Sequence, residues 1–179
     1  AAVVHGLEFL VRETREGKAP PPPALLQAIV RYVKEFPEKL HHPKEDAYLF
    51  PRLRERTSEF DGTLAELERQ HAEGHRMIDE LEGALARYRA GEAGGFGVFA
   101  AAVEHFAEAQ MQHMRLETKV ILPAARQYLT AADWVEIDKA FARNGDPRFA
   151  VDNDEEFRAL FARILNLFPE KVVGGAVGS

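Results

Sequence analysis

His113-Met114-Arg115-Leu116-Glu117-Thr118-Lys119-Val120-Ile121-Leu122-Pro123 sets a histidine and a carboxylate four residues apart in a run of helical pattern. Residues four apart on a helix lie one above the other, with Cβ atoms about 6 Å apart. Both side chains can then reach one metal ion, or two ions sharing a bridge. Helical phase tells which way they point. At about 100° per residue, Glu117 falls about 40° from His113, with Phe106 and Ala124 about 20° away on the same side and Val120 about 20° away on the other. The polar pair is therefore in the middle of the apolar face. The same count centred on His71 puts His75 about 40° away, with Leu64 about 20° away on the same side and Ile78 and Leu67 about 20° and 40° away on the other. His41-x-x-x-Glu45 is a third pair. Such groups buried without partners would each be costly, and a metal cluster satisfies all of them together. An internal echo strengthens the reading. His41-x3-Glu45-x5-Pro51 matches His113-x3-Glu117-x5-Pro123, with Leu49-Phe50 and Ile121-Leu122 just before each proline.

Working outward, the chain reads as helices with clear punctuation. Val3 to Arg15 is a short helix ahead of the Pro20–Pro23 run, which no helix can cross. Ala24 to Phe36 carries Leu25, Leu26, Ile29, Val30 and Val33 at helical steps. Pro37 and Pro43 are expected to break or kink the next helical stretch, which runs to about Arg56. Ser58 and Asp61 are N-cap choices for a long helix ending near Arg89. Gly91, Gly94, Gly95 and Gly97 mark a loop before a second long helix, Phe99 to Tyr128. Thr130 caps a helix from Ala131 to Arg143, Asn144-Gly145-Asp146-Pro147 is a turn, and Asp152 or Asn153 opens a last helix through Leu165 to Phe168. Val172 to Ser179 is a loose tail. No alternating strand pattern occurs. The expected class is all-α: an up-down four-helix bundle over 1–128, and a C-terminal extension of two helices over 129–179 packed on it.

Composition excludes much else. With no cysteine there is no disulfide framework, thiolate metal site or cysteine nucleophile. The formal net charge of −6 argues against a nucleic-acid module, which needs a basic stripe. No apolar run approaches the roughly 20 residues that span a bilayer, and no basic segment precedes an apolar one at the N-terminus. A soluble, cytoplasmic protein is expected.

The remaining histidines read less sharply. His5 lies about 160° from Leu7, while Val3, Val4, Leu10 and Val11 cluster around Leu7; it is either a ligand or a surface residue. His42, before Pro43, is a ligand, a residue that holds a ligand in place, or exposed. His105 is at the edge of its helix's apolar face and reads as packing or support. Tyr48 shares the side of His41 and Glu45 and lines the pocket or the core.

These residues resemble a known family. Phe36-Pro37-Glu38-Lys39-Leu40-His41-His42-Pro43-Lys44-Glu45-Asp46, His71-Ala72-Glu73-Gly74-His75, and His113 to Glu117 with Ile121-Leu122-Pro123 look like the signature of hemerythrin-like HHE cation-binding proteins. The resemblance covers roughly 1–128, and the segment from Thr130, with Asp133-Trp134 and Gly145-Asp146-Pro147, looks like the extension of many bacterial members. It implies four helices around two non-haem iron ions, bridged by two carboxylates and an oxo or hydroxo group, with manganese or zinc as substitutes. Carried over, the ligand set is His5, His41, Glu45, His71, His75, His113 and Glu117, leaving His42 and His105 over; some relatives use the residue after the second-helix histidine, which keeps His42 in play. Imidazole and carboxylate without thiolate suit iron or manganese. Such a set leaves one coordination position open for dioxygen, peroxide or nitric oxide. Three functions share these ligands: a protein that binds or senses dioxygen or a related small ligand, a redox enzyme acting on peroxide or nitric oxide, and an iron-responsive interaction module.

Overall fold

A computed structural model describes residues 2–142, without the side chains of residue 2 and residues 36–39. The predicted turn at 144–147, the last helix and the tail lie outside the described residues, among which there is no strand. Helix α1 (Ala2–Arg15) buries Val3, Val4, Leu7, Leu10 and Val11. After the proline run, Pro23 opens α2 (Pro23–Val33), a position where its missing N–H leaves no helical bond unmade.

From Pro23 to Arg56 the chain stays helical, so of the break or kink expected at Pro37 and Pro43 the break does not occur. The run is α2, a first π-helical segment (Lys34–His41), α3 (His42–Lys44), a second π segment (Glu45–Leu49) and α4 (Phe50–Arg56). The reason is clearest at Pro51. It has no N–H for the carbonyl four residues back, and its ring crowds that carbonyl. The helix widens ahead of it: the Phe50 N–H donates to the Glu45 carbonyl, five residues back. Pro123 repeats this. A third π segment (Glu117–Ile121) leads into α7 (Leu122–Tyr128), and the Leu122 N–H donates to the Glu117 carbonyl. The sequence echo is thus a structural one, with a π turn starting at each carboxylate.

Helix α5 (Asp61–Arg89) buries Leu64, Leu67, His71, Gly74, Ile78, Leu81 and Leu85, an alternation of three and four residues that forms a packing seam. Its N-cap is Phe60 with no side-chain cap. Of the expected caps, Ser58 lends only its carbonyl to the Asp61 N–H, and Asp61 is in the first turn, where its charge meets the helix dipole. Helix α6 (Gly95–Leu116) begins earlier than the glycines suggested. Gly94 takes φ +75°, which turns the chain back, and Gly95 brings α6 close against the last turn of α5.

Among the described residues the apolar core is in two parts. One joins α1, α2, the C-terminal half of α5 and the N-terminal half of α6, around Leu7, Leu26, Ile29, Leu81, Phe99 and Phe106. The other joins α4, the start of α5, α7 and α8 (Ala131–Ala142), around Phe50, Leu53, Leu64, Leu67 and Ala125. Between them along the chain lie His42 and Glu45, His71, and His113, all buried. Helix α8 is clamped at both ends. Thr130 and Asp133 cap its start reciprocally, and Arg56 donates two hydrogen bonds to Asp133, at 2.9 and 2.8 Å. At its other end, Lys44 Nζ donates to the Phe141 carbonyl at 3.0 Å.

A Cβ built on Gly95 would meet the Arg87 carbonyl oxygen and Tyr88 Cα at 3.1 Å, backbone that cannot swing aside. Gly95→Ala is expected to cost about 1–3 kcal/mol in urea unfolding. Gly83→Ala, where nothing lies within 4 Å, should instead gain up to about 1 kcal/mol. Equal effects at the two positions would contradict this packing.

Candidate metal centre

Three helical runs bring polar groups to the layer between the two cores. His41 Nε2 lies 3.0 Å from Glu45 Oε1, and His71 Nε2 lies 3.6 Å from Glu45 Oε2. His113 Nε2 lies 2.9 Å from Glu117 Oε1 and 3.3 Å from His71 Nε2. The His42 ring stacks on His71 at 4.2 Å between centroids, and Phe50 lies almost parallel to the same ring at 5.7 Å. Behind the rings, His71 Nδ1–H donates to Asp46 Oδ1 at 2.7 Å and His113 Nδ1–H donates to Gln70 Oε1 at 3.1 Å.

Among the described residues the potential ligand atoms form two groups. His42, Glu45, His71 and His113 offer atoms within 4.8 Å of one another, and so do His41, Glu45 and Glu117. Glu45 belongs to both. The Glu117 Oε1 atom is buried and makes no hydrogen bond, although His113 Nε2 is close by. Buried acceptors rarely go without a donor, and a cation between these nitrogens and oxygens fits the arrangement. Burial, with the neighbouring His42 and His113, pushes the His71 ring down to about 2, so it stays neutral with a lone pair to offer. Burial pushes Glu117 up, but His113, Glu45 and His41 outweigh it and hold its carboxyl at about 2.

The structure thus brings together His41, Glu45, His71, His113 and Glu117, adds His42, and leaves out His5 and His75. His5 is exposed and pairs with Glu8 at 3.4 Å. Val3, Val4, Leu7, Leu10 and Val11 occupy the buried face of α1, and His5 points away from it. His75 is exposed because the α5 seam runs through His71, Gly74 and Ile78, one position to its side. His42 enters because the π segments on either side of it turn the chain through a smaller angle per residue, so neighbouring His41 and His42 both face inward. His105 is exposed and lines a cavity of about 210 Å³ between α5 and α6 that reaches His42 and His113. Tyr48 is also exposed. Sequence reasoning passed over Asp46 and Gln70. The first had a signal, since His42-x3-Asp46 repeats the histidine–acid spacing one residue along; the second had none beyond its place beside His71.

The family model for the Hemerythrin HHE cation binding domain matches residues 2–125 of the chain. No curated protein and no solved structure matches it.

The lowered His71 value makes stability depend on pH in a definite direction. Between 6.5 and about 2 the unfolded chain takes up a proton that folded His71 refuses, so acid favours unfolding. Glu117 adds to this below 4.5. Urea unfolding of the metal-free protein should lose stability as pH falls through about 6.5, by at most about 1.4 kcal/mol per pH unit from His71. His71→Gln should flatten the upper part of that slope, and an unchanged slope would contradict the assignment.

Proposed function

The chain belongs to the hemerythrin HHE cation-binding family, and from that premise we propose that its buried cluster would hold two iron ions, with Glu45 among the donors to each, and binds or senses dioxygen or a related small ligand. The observation that carries this reading is the pair of donor groups sharing Glu45. His42, Glu45, His71 and His113 would hold one ion, and His41, Glu45 and Glu117 would hold the other. The donors are imidazole and carboxylate, a set that suits iron or manganese. When bound, two such ions supply an open coordination position and a reservoir of electrons. The chain supplies the rest. Its two apolar cores flank the cluster, and Phe50 and the His42–His71 stack restrict ring motion. The cavity that reaches His42 and His113 supports access for a small ligand. Among the described residues no helix is long and apolar enough to cross a membrane.

Anaerobic titration with ferrous iron is expected to load about two ions per chain, the di-iron state of carboxylate-rich bundles. Glu45→Ala should lose both ions and Glu117→Ala chiefly one, while His5→Ala, His75→Ala and His105→Ala keep both. Iron loss in the His5 or His75 variants, or full loading of Glu45→Ala, would sink this ligand set. A visible absorption band that comes and goes with dioxygen supports the binding role. Sustained consumption of peroxide or nitric oxide would replace it with a redox enzyme.

A further inference from the structure

A chain of hydrogen bonds runs from the surface of α5 to the back of His113. Arg69 donates from Nε and Nη2 to the two oxygens of Glu66 at 2.9 and 2.7 Å, and from Nη1 to Glu73 at 2.8 Å. Glu66 is therefore a carboxylate, and a carboxylate only accepts hydrogen bonds. The Gln70 atom 2.7 Å from Glu66 Oε1 must then be the amide nitrogen, which settles which way the amide faces. Its oxygen end meets His113 Nδ1 at 3.1 Å, and an amide oxygen also only accepts. Nδ1 therefore carries a proton, and in the neutral imidazole Nε2 then presents its lone pair toward Glu117 Oε1 and His71 Nε2.

We propose that Gln70 is the positioning residue of His113: oriented by the Arg69–Glu66 pair, its amide oxygen holds the proton on Nδ1 and keeps the Nε2 lone pair aimed at the cluster, where a cation can use it. The proposal rests on the metal-binding reading of the cluster. It also makes the two α5 and α6 rings unequal. His71 is backed by the carboxylate of Asp46 and His113 by a neutral amide, so His71 is the stronger electron donor of the two.

The test is long-range proton–nitrogen NMR of histidine side chains in the metal-free protein, with iron affinity measured by chelator competition. Wild-type His113 should carry its proton on Nδ1. Gln70→Met should give a mixture of tautomers and weaken iron binding on the order of 10–100-fold. The exchange Gln70→Glu keeps an acceptor at 70, behind Nδ1, and should keep the proton on Nδ1. A wild-type His113 protonated on Nε2, or an unchanged tautomer in Gln70→Met, would overturn the proposal. The tautomer is read without metal, so a protein that binds no iron would sink the cluster reading and leave this result to be judged separately.

Discussion

The structure depends on a layer of ionisable groups at the middle of a helical bundle. Histidines and carboxylates there interrupt the apolar seams of three helical runs and divide the core into two clusters. A polar layer of this kind is expensive in a protein interior unless its members satisfy one another or a shared ion. The geometry meets that demand in part: His71 and His113 have hydrogen-bond partners behind them, and their Nε2 atoms converge with Glu45 and Glu117 in front. What remains in front is a set of lone pairs, which is what a cation requires. The same convergence explains why both flanking cores are closely packed with large side chains such as Phe50 and Phe106, since rigid walls hold the donors at fixed separations.

Proline is the second organising element. Pro51 and Pro123 each follow a carboxylate by six residues, and each forces the helix to widen immediately ahead of it. Glu45 and Glu117 stand at the first position of those widened turns. The wide turns do two things a regular α-helix would not. They keep the chain helical past a residue that cannot donate, and they reduce the rotation between neighbours so that more than one side chain per turn reaches the centre. The first π segment, Lys34–His41, has the same effect on His41 and the neighbouring His42. Helix α8 then leans on this region: Phe141 contacts the His41 ring, and Lys44 reaches over to the end of α8. The segment after the bundle is therefore tied directly to the run that carries Glu45.

Much of this was legible in the amino-acid order. The helical periods, the inward phase of His71, His113 and Glu117, the Thr130 cap and the echo between the two ligand–proline segments are all local properties, and each is found in the fold. Other features were not legible. Proline reads locally as a break, and only a helix held on several sides by packing has reason to widen instead of ending. His75 is within 40° of His71 on paper, yet the seam of α5 tilts to the other side because Gly74 and Ile78 face the neighbours.

The sequence by itself determined the elements, the apolar faces and the pairs of metal-type donors, because those follow from spacing along one helix. Tertiary structure decided which donors meet. Whether His42 joins His41, whether His5 and His75 stay outside, and which residues stand behind the rings depend on how each helix is rotated against the others. That rotation is set by packing across helices, through contacts between residues distant in the chain such as Asp46 with His71 and Gln70 with His113.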